Sequence, residues 1–234
     1  MRKSWTYIDF LLVILGGFVG AGVFVAVATL LNNDELALVM VLIGQYVGHL
    51  VALWLIARTK KEPDLGFVIE GRDFLYLFLG VGLQLGLAIL FLPLSTLLFP
   101  NGDTAQQVGS ALGGLQTTSA RVAAVFTATV VAPATEELIF RGVLIKAMGK
   151  HSRRVIMVAS AGVFAAFHLL GLDPTRLLAA SAVVLPQLFL VGLLLAWVTL
   201  RSGRLGPAIF IHSGFNLLAA LILLLPTRLL DGLG

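Results

Sequence analysis

An all-α fold, a polytopic membrane bundle of about seven transmembrane helices, is the fold class the sequence predicts. Three observations predict it. The 234-residue chain is 59% hydrophobic and 12% charged, where a soluble domain carries about 25% charged residues, and its mean hydropathy is +1.00. Seven apolar stretches are each long enough to cross the hydrocarbon, which takes about 20 helical residues. The basic residues gather between alternate stretches, the asymmetry that orients a chain in a bilayer.

The first stretch covers residues 7–31 and ends at Asn32-Asn33-Asp34-Glu35. Arg2-Lys3 and Ala26-Val27-Ala28 give it some features of a signal peptide, but its apolar run exceeds a typical signal core, so a retained span is expected. Residues 36–57 form the second span, followed by a basic loop at 58–73 that mixes acids with Arg58, Lys60, Lys61 and Arg72 and reads as a topology anchor. The third span, 74–99, leads into the longest connection, 100–120, with Asn101-Gly102-Asp103 and Gly113-Gly114. Spans four to seven follow at 121–148, 155–171, 177–200 and 207–225 across short polar links. Gly16/Gly20 and Gly82/Gly86 are small-xxx-small pairs, expected to be helix contacts. Gln45, His49, Gln84 and Gln187, which follows Pro186, are expected to serve packing and kinks.

With the N-terminus inside, 12 basic residues fall on the inner side and 3 on the outer (Arg121, Arg176 and Arg228); Arg141 lies within a span and completes the 16. This bias predicts a cytoplasmic N-terminus and an outward C-terminus. The net charge of +4 therefore belongs to helix ends, and a nucleic-acid partner is not expected. The lipid bilayer is the expected surrounding, and the short-looped architecture leans toward a bacterial inner membrane. The chain has no cysteine, which excludes disulfides, thiolate metal sites and a cysteine nucleophile. Three regions are expected: 1–119 without chemical motifs, a four-helix core at 120–226, and a tail at 227–234.

The fourth span carries Glu136, Glu137 and Arg141. Each ionised side chain at mid-bilayer costs roughly 2.5–3.5 kcal/mol on insertion scales, on the order of 10 kcal/mol for three without compensation. Glu137 and Arg141 are four apart on one helical face and can pair. Glu136 is turned about 100° away and is left facing a cavity, where it is placed to act as a general base. Pro133 frees a backbone carbonyl and is expected to bend the helix toward the site. The fifth span brings His168 in Phe164-Ala165-Ala166-Phe167-His168, about 20 Å from its basic end at 1.5 Å per residue and so at the depth of Glu136. The last span brings His212 and Asn216, four apart on one face, with small Ser213 and Gly214 between them. That pair can donate to an oxyanion, hold a water, or simply join helices.

Glu-Glu-x-x-x-Arg at 136–141, Phe-x-x-x-His at 164–168 and His-x-x-x-Asn at 212–216, in this order and in separate spans, resemble the CAAX protease and bacteriocin-processing family. That family includes the type II CAAX prenyl endopeptidase and the bacterial Abi proteins, and the resemblance covers roughly residues 121–225. It implies an intramembrane endopeptidase acting on a peptide or protein in or at the membrane. Glu136 and His168 would activate water, His212 and Asn216 would hold the oxyanion, and Glu137 and Arg141 would support them. A metal-free mechanism and a zinc site built on Glu136, His168 and His212 both stay open. Two other classes are a non-catalytic immunity or scaffold protein of the same fold, and a small transporter, which should show internal repeats or broken helices.

Overall fold

The computed structural model describes residues 4–30, 34–100, 115 and 117–224, with side chains left aside at 34–38 and 222–224. Arg2-Lys3, Asn32-Asn33, most of the 100–120 connection, the 227–234 tail and Arg228 lie outside the described residues. Helices account for almost all of the rest: α1 (Tyr7–Leu30), α2 (Asp34–Ala57), α3 (Gly71–Leu98), α4 (Thr118–Ala147), α5 (Arg153–Phe167), α6 (Leu177–Ser202) and α7 (Gly206–Leu224). Six are long and apolar enough to span a bilayer, and the side chains described in α7 form a shorter apolar stretch, Gly206–Leu221. The protein is an integral membrane protein of helical architecture.

Backbone-to-backbone contact holds the outer helices. A Cβ added to Gly48 of α2 would lie 2.1 Å from the Gly16 carbonyl oxygen, and one on Gly20 of α1 would lie 2.1 Å from that of Gly44. Only glycine permits such an approach, and close approach is the main attraction available where lipid is as apolar as the side chains. Beside this seam His49 is buried, its ring fitted against Gly17, and its Nδ1–H donates to the Val13 carbonyl at 2.8 Å. Gly16/Gly20 is thus a contact, as its spacing suggests. Gly82/Gly86 is not, since a Cβ at either position meets nothing within 4 Å. Gly80 makes the α3 contact instead, with Gly214 of α7: their added Cβ atoms would lie 1.9 Å from the Ile211 oxygen and 2.0 Å from the Leu77 oxygen. Two residues turn a helix by about 200°, so α3 can use Gly80 or Gly82 against α7 but not both.

One end of the bundle collects most of the basic residues. Lys60 pairs with Asp9 at 2.6 Å, Tyr7 meets His151 at 3.3 Å, and Lys146 donates to the Asp64 carbonyl. The loop after α2 lies against the α6–α7 turn, where the Leu205 N–H donates to Gly66 and the Gly206 N–H to Val68. Asp73 and Glu70 pair with Arg204 there, and the Asp73 bond holds the guanidinium above its ordinary pKa. Asp9 and Asp73 are buried charges that patterning along the chain does not reveal, because their partners lie 51 and 131 residues away.

The middle of the bundle is α4. Half of its apolar window is buried, against 11–33% for the other five long spans. It is not a regular helix. Thr127–Val131 and Leu138–Leu144 are π-helical turns flanking Pro133 and the two glutamates. Each π turn widens the helix by one residue and shifts the side chains that follow.

Candidate active site

The site is built on the second π turn and the short α segment before it. Glu137 and Arg141 have no exposed side-chain surface and pair at 3.0 Å. Arg141 also donates to the Gly192 carbonyl of α6 at 3.2 Å, and its guanidinium stacks 4.4 Å from the centre of the Phe164 ring. Gly192 allows that reach, because a Cβ there would press on Ala161 and Phe164 of α5 at 3.0–3.3 Å. A planar guanidinium that bonds, donates and stacks at once uses properties that lysine lacks.

His212 joins the two glutamates. Its Nδ1–H donates to Glu137 at 2.9 Å, and its Nε2 lies 3.8 Å from Glu136 Oε2. The bond at Nδ1 turns the other ring nitrogen, Nε2, toward Glu136. Glu136 is the more open of the two carboxylates, with 12% of its side chain exposed. Its Oε1 accepts from the Tyr46 hydroxyl at 3.2 Å, while its Oε2, like that of Glu137, accepts no hydrogen bond among the described residues.

His168 stands at the edge of this group. The α-helix of α5 ends at Phe167 and His168 opens a 3-10 turn to Gly171, so it lies inside the fifth span, Arg153–Gly171, in its closing turn. The physical reason is the turn that follows: the chain must reverse through 172–176 to enter α6, and the last helical turn tightens to begin it. The His168 Nδ1–H donates to the Phe164 carbonyl at 2.8 Å, which leaves Nε2 as an acceptor. His168 packs edge-on against Phe164 at 4.8 Å, and His212 contacts the same ring at 5.6 Å. No hydrogen bond joins His168 directly to Glu136 among the described residues, but the carboxylate is near enough to act on it electrostatically.

Asn216 is held by the backbone that the first π turn frees. The Ala132 N–H bonds to Thr127, five residues back. In that register the Ala128 carbonyl would face the nitrogen of Pro133, which has no hydrogen. Asn216 supplies the missing donor at 2.9 Å. This spends one of its two amide hydrogens and leaves the other.

Glu137, Arg141 and His212 thus form one bonded cluster, Glu136 lies against it with Tyr46 as its donor, His168 lies beside it across Phe164, and Asn216 anchors α7 to α4. The zinc arrangement is not assembled: among the described residues no three His, Asp or Glu side chains converge as a metal would require. Tyr46 is the residue the sequence analysis passed over. It sits on α2, three residues before His49, and in a span an aromatic residue reads as apolar filling.

Residues 118–218 match the family model described as type II CAAX prenyl endopeptidase Rce1-like. That segment is Rce1-like. It contains Glu136, Glu137, Arg141, His168, His212 and Asn216, and the family that it resembles is one of proteases. No curated protein and no solved structure shows a significant match to the chain. The Rce1-like segment stops short of α1–α3, so Tyr46 reaches Glu136 from outside it.

Proposed function

We propose that this protein is an intramembrane endopeptidase that cleaves peptides or proteins lying in or at the membrane, with Glu136 as the base that activates water. The observation that carries the reading is the asymmetry of the two glutamates. Glu137 is sealed from solvent with its Oε1 held by both Arg141 and His212, while Glu136 is partly exposed, has no guanidinium bonded to it and turns its free Oε2 toward the Nε2 of His212. A supported carboxylate beside a freer one divides structural support from proton transfer.

Water adds to the carbonyl carbon of the scissile peptide as its proton passes to Glu136. Negative charge thereby passes from Glu136 to the tetrahedral oxyanion that forms on the substrate. The second N–H of Asn216 is the donor for that oxyanion. Glu136 then delivers its proton to the leaving nitrogen as the C–N bond breaks, giving a new carboxyl and a free amine. Glu137 and Arg141 keep His212 oriented throughout. The basic end of the bundle, which holds the loop after α2, is the cytoplasmic end by the same proposal, and the membrane is a bacterial inner membrane.

The test is Glu136→Gln in the purified full-length protein, assayed for cleavage of a peptide library with and without a strong chelator. General-base catalysis is worth about 10²–10⁴-fold, so the variant should lose at least a hundredfold in rate while melting at the wild-type temperature. Wild-type cleavage by the variant would refute the assignment. Loss of cleavage with chelator and its return with zinc would refute the metal-free sequence of steps.

A further inference from the structure

At the basic end of the bundle, α5 and α6 form a cleft of about 280 Å³ lined by Arg153, Arg154, Met157, Trp197, Leu200 and Arg201. It is remote in sequence and chemistry from the glutamate cluster, and no step of the proposed reaction uses it. Its composition is unusual for this end of the molecule. Lys60, Arg72 and Arg204 each have a carboxylate partner. Arg153, Arg154 and Arg201 have none among the described residues, and no acid lines the cleft. Arg201 lies 5.4 Å above the Trp197 ring, which fixes the guanidinium beside the opening.

We infer that this cleft binds the headgroup of an anionic phospholipid. Three guanidinium groups from two helices supply planar donors for phosphate oxygens. A volume near 280 Å³ suits a glycerophosphate headgroup and is small for a whole lipid. Met157, Leu200 and Trp197 form the apolar part of the wall, and the surface leading away along α5 is lipid-compatible, with Val155 and Val158 about half exposed. Acyl chains can therefore continue along the helix face while the headgroup stays at the interface. Basic pockets between transmembrane helices at a membrane face take such headgroups. A soluble protein partner or nucleic acid would not need the apolar outlet.

The experiment uses full-length protein in detergent, titrated separately with dioctanoyl phosphatidylglycerol, dioctanoyl phosphatidylcholine and inorganic phosphate, with bound ligand counted by native mass spectrometry. Each arginine near a membrane surface contributes about fivefold in affinity. Arg154→Gln with Arg201→Gln should therefore weaken phosphatidylglycerol binding about 25-fold, with melting unchanged because both side chains are exposed. Arg58→Gln is the control. It removes the same charge from another Trp-stacked arginine at this end, 3.5 Å over Trp54 but with no part in the cleft, and should change affinity less than twofold. Phosphatidylcholine should bind at least tenfold more weakly. Equal loss in Arg58→Gln would show diffuse surface charge and overturn the site. Equal binding of phosphatidylcholine would overturn the role of the arginines, and inorganic phosphate binding as tightly as phosphatidylglycerol would make this a soluble-anion site and overturn the lipid assignment.

Discussion

Removing Arg141 alone should be worse for the protein than removing Arg141 and Glu137 together. Both side chains are fully buried and bonded at 3.0 Å. In Arg141→Leu, Glu137 keeps its charge in the core with His212 as its one remaining hydrogen-bond donor, and the Gly192 carbonyl and the Phe164 face lose their cationic partner. Breaking a buried pair from one side costs about 3–5 kcal/mol because the other charge is stranded. For a chain of this length each kcal/mol moves the melting temperature by roughly 2–4 °C, so a fall on the order of 10 °C is expected. Adding Glu137→Gln removes the stranded charge and should recover at least half of that fall. The assay is a thermal double-mutant cycle in detergent, read by fluorescence-detected size exclusion. If the falls of the two single variants simply add in the double variant, the residues are not energetically coupled. The picture of Glu137 as a side chain whose charge exists to be neutralised by Arg141 would then be wrong.

Three further outcomes follow from single contacts. Tyr46→Phe removes one donor to the Glu136 carboxylate, and a hydrogen bond to a charged group is worth about 1.5–3 kcal/mol; kcat should fall roughly 10–100-fold with KM within twofold, and a change confined to KM would contradict a role at Glu136. Gly80→Ala places a methyl against the Ile211 oxygen and should lower the melting temperature by several degrees, whereas Gly82→Ala, in open space, should leave it unchanged or slightly raised; equal effects would disprove the α3–α7 contact. Asn216→Ala strands the Ala128 carbonyl, which costs about 1–3 kcal/mol, and it should lose both stability and rate, while Asn216→Asp, having no donor, should not rescue either.

How much of this was legible in the chain depended on whether the signal was local. The helical membrane fold follows from length and apolarity, and the pairing of Glu137 with Arg141 follows from four-residue spacing; both need only neighbours along the sequence. The glycine seams show the limit of such reasoning. Gly16/Gly20 and Gly82/Gly86 have the same spacing, yet only the first is an internal contact, because spacing gives a face and not what the face meets. Likewise Pro133 announced an irregular helix, but not that the freed carbonyl would be Ala128 or that Asn216 would satisfy it. The span that holds His168 is legible in the same way, but the change from α-helix to 3-10 turn at that residue is not, since the chain reversal after it sets the helix end. Tyr46 gave no signal at all, because nothing along α2 records that Glu136, 90 residues later, will lie opposite it.

The Tyr46 contact also gives the first two helices a part in the chemistry. Tyr46 lies two residues from Gly48, whose backbone rests on Gly16 and Gly20 of α1. The depth and rotation of α2, and hence the reach of the Tyr46 hydroxyl, are set by how closely α1 and α2 approach. Gly48→Ala would put a Cβ 2.1 Å from the Gly16 oxygen. Ordinary contact needs more than 3 Å, so the helices must part by about 1 Å, and a displacement of that size near a reacting group can cost on the order of 10² in rate. If the effect travels through Tyr46, Gly48→Ala should depress kcat in the wild-type background and add almost nothing in the Tyr46→Phe background, when both are measured on folded protein recovered by size exclusion. Independent, multiplying losses would show that the glycine seam acts on the site by another route, and that α1 and α2 do not work through the phenol.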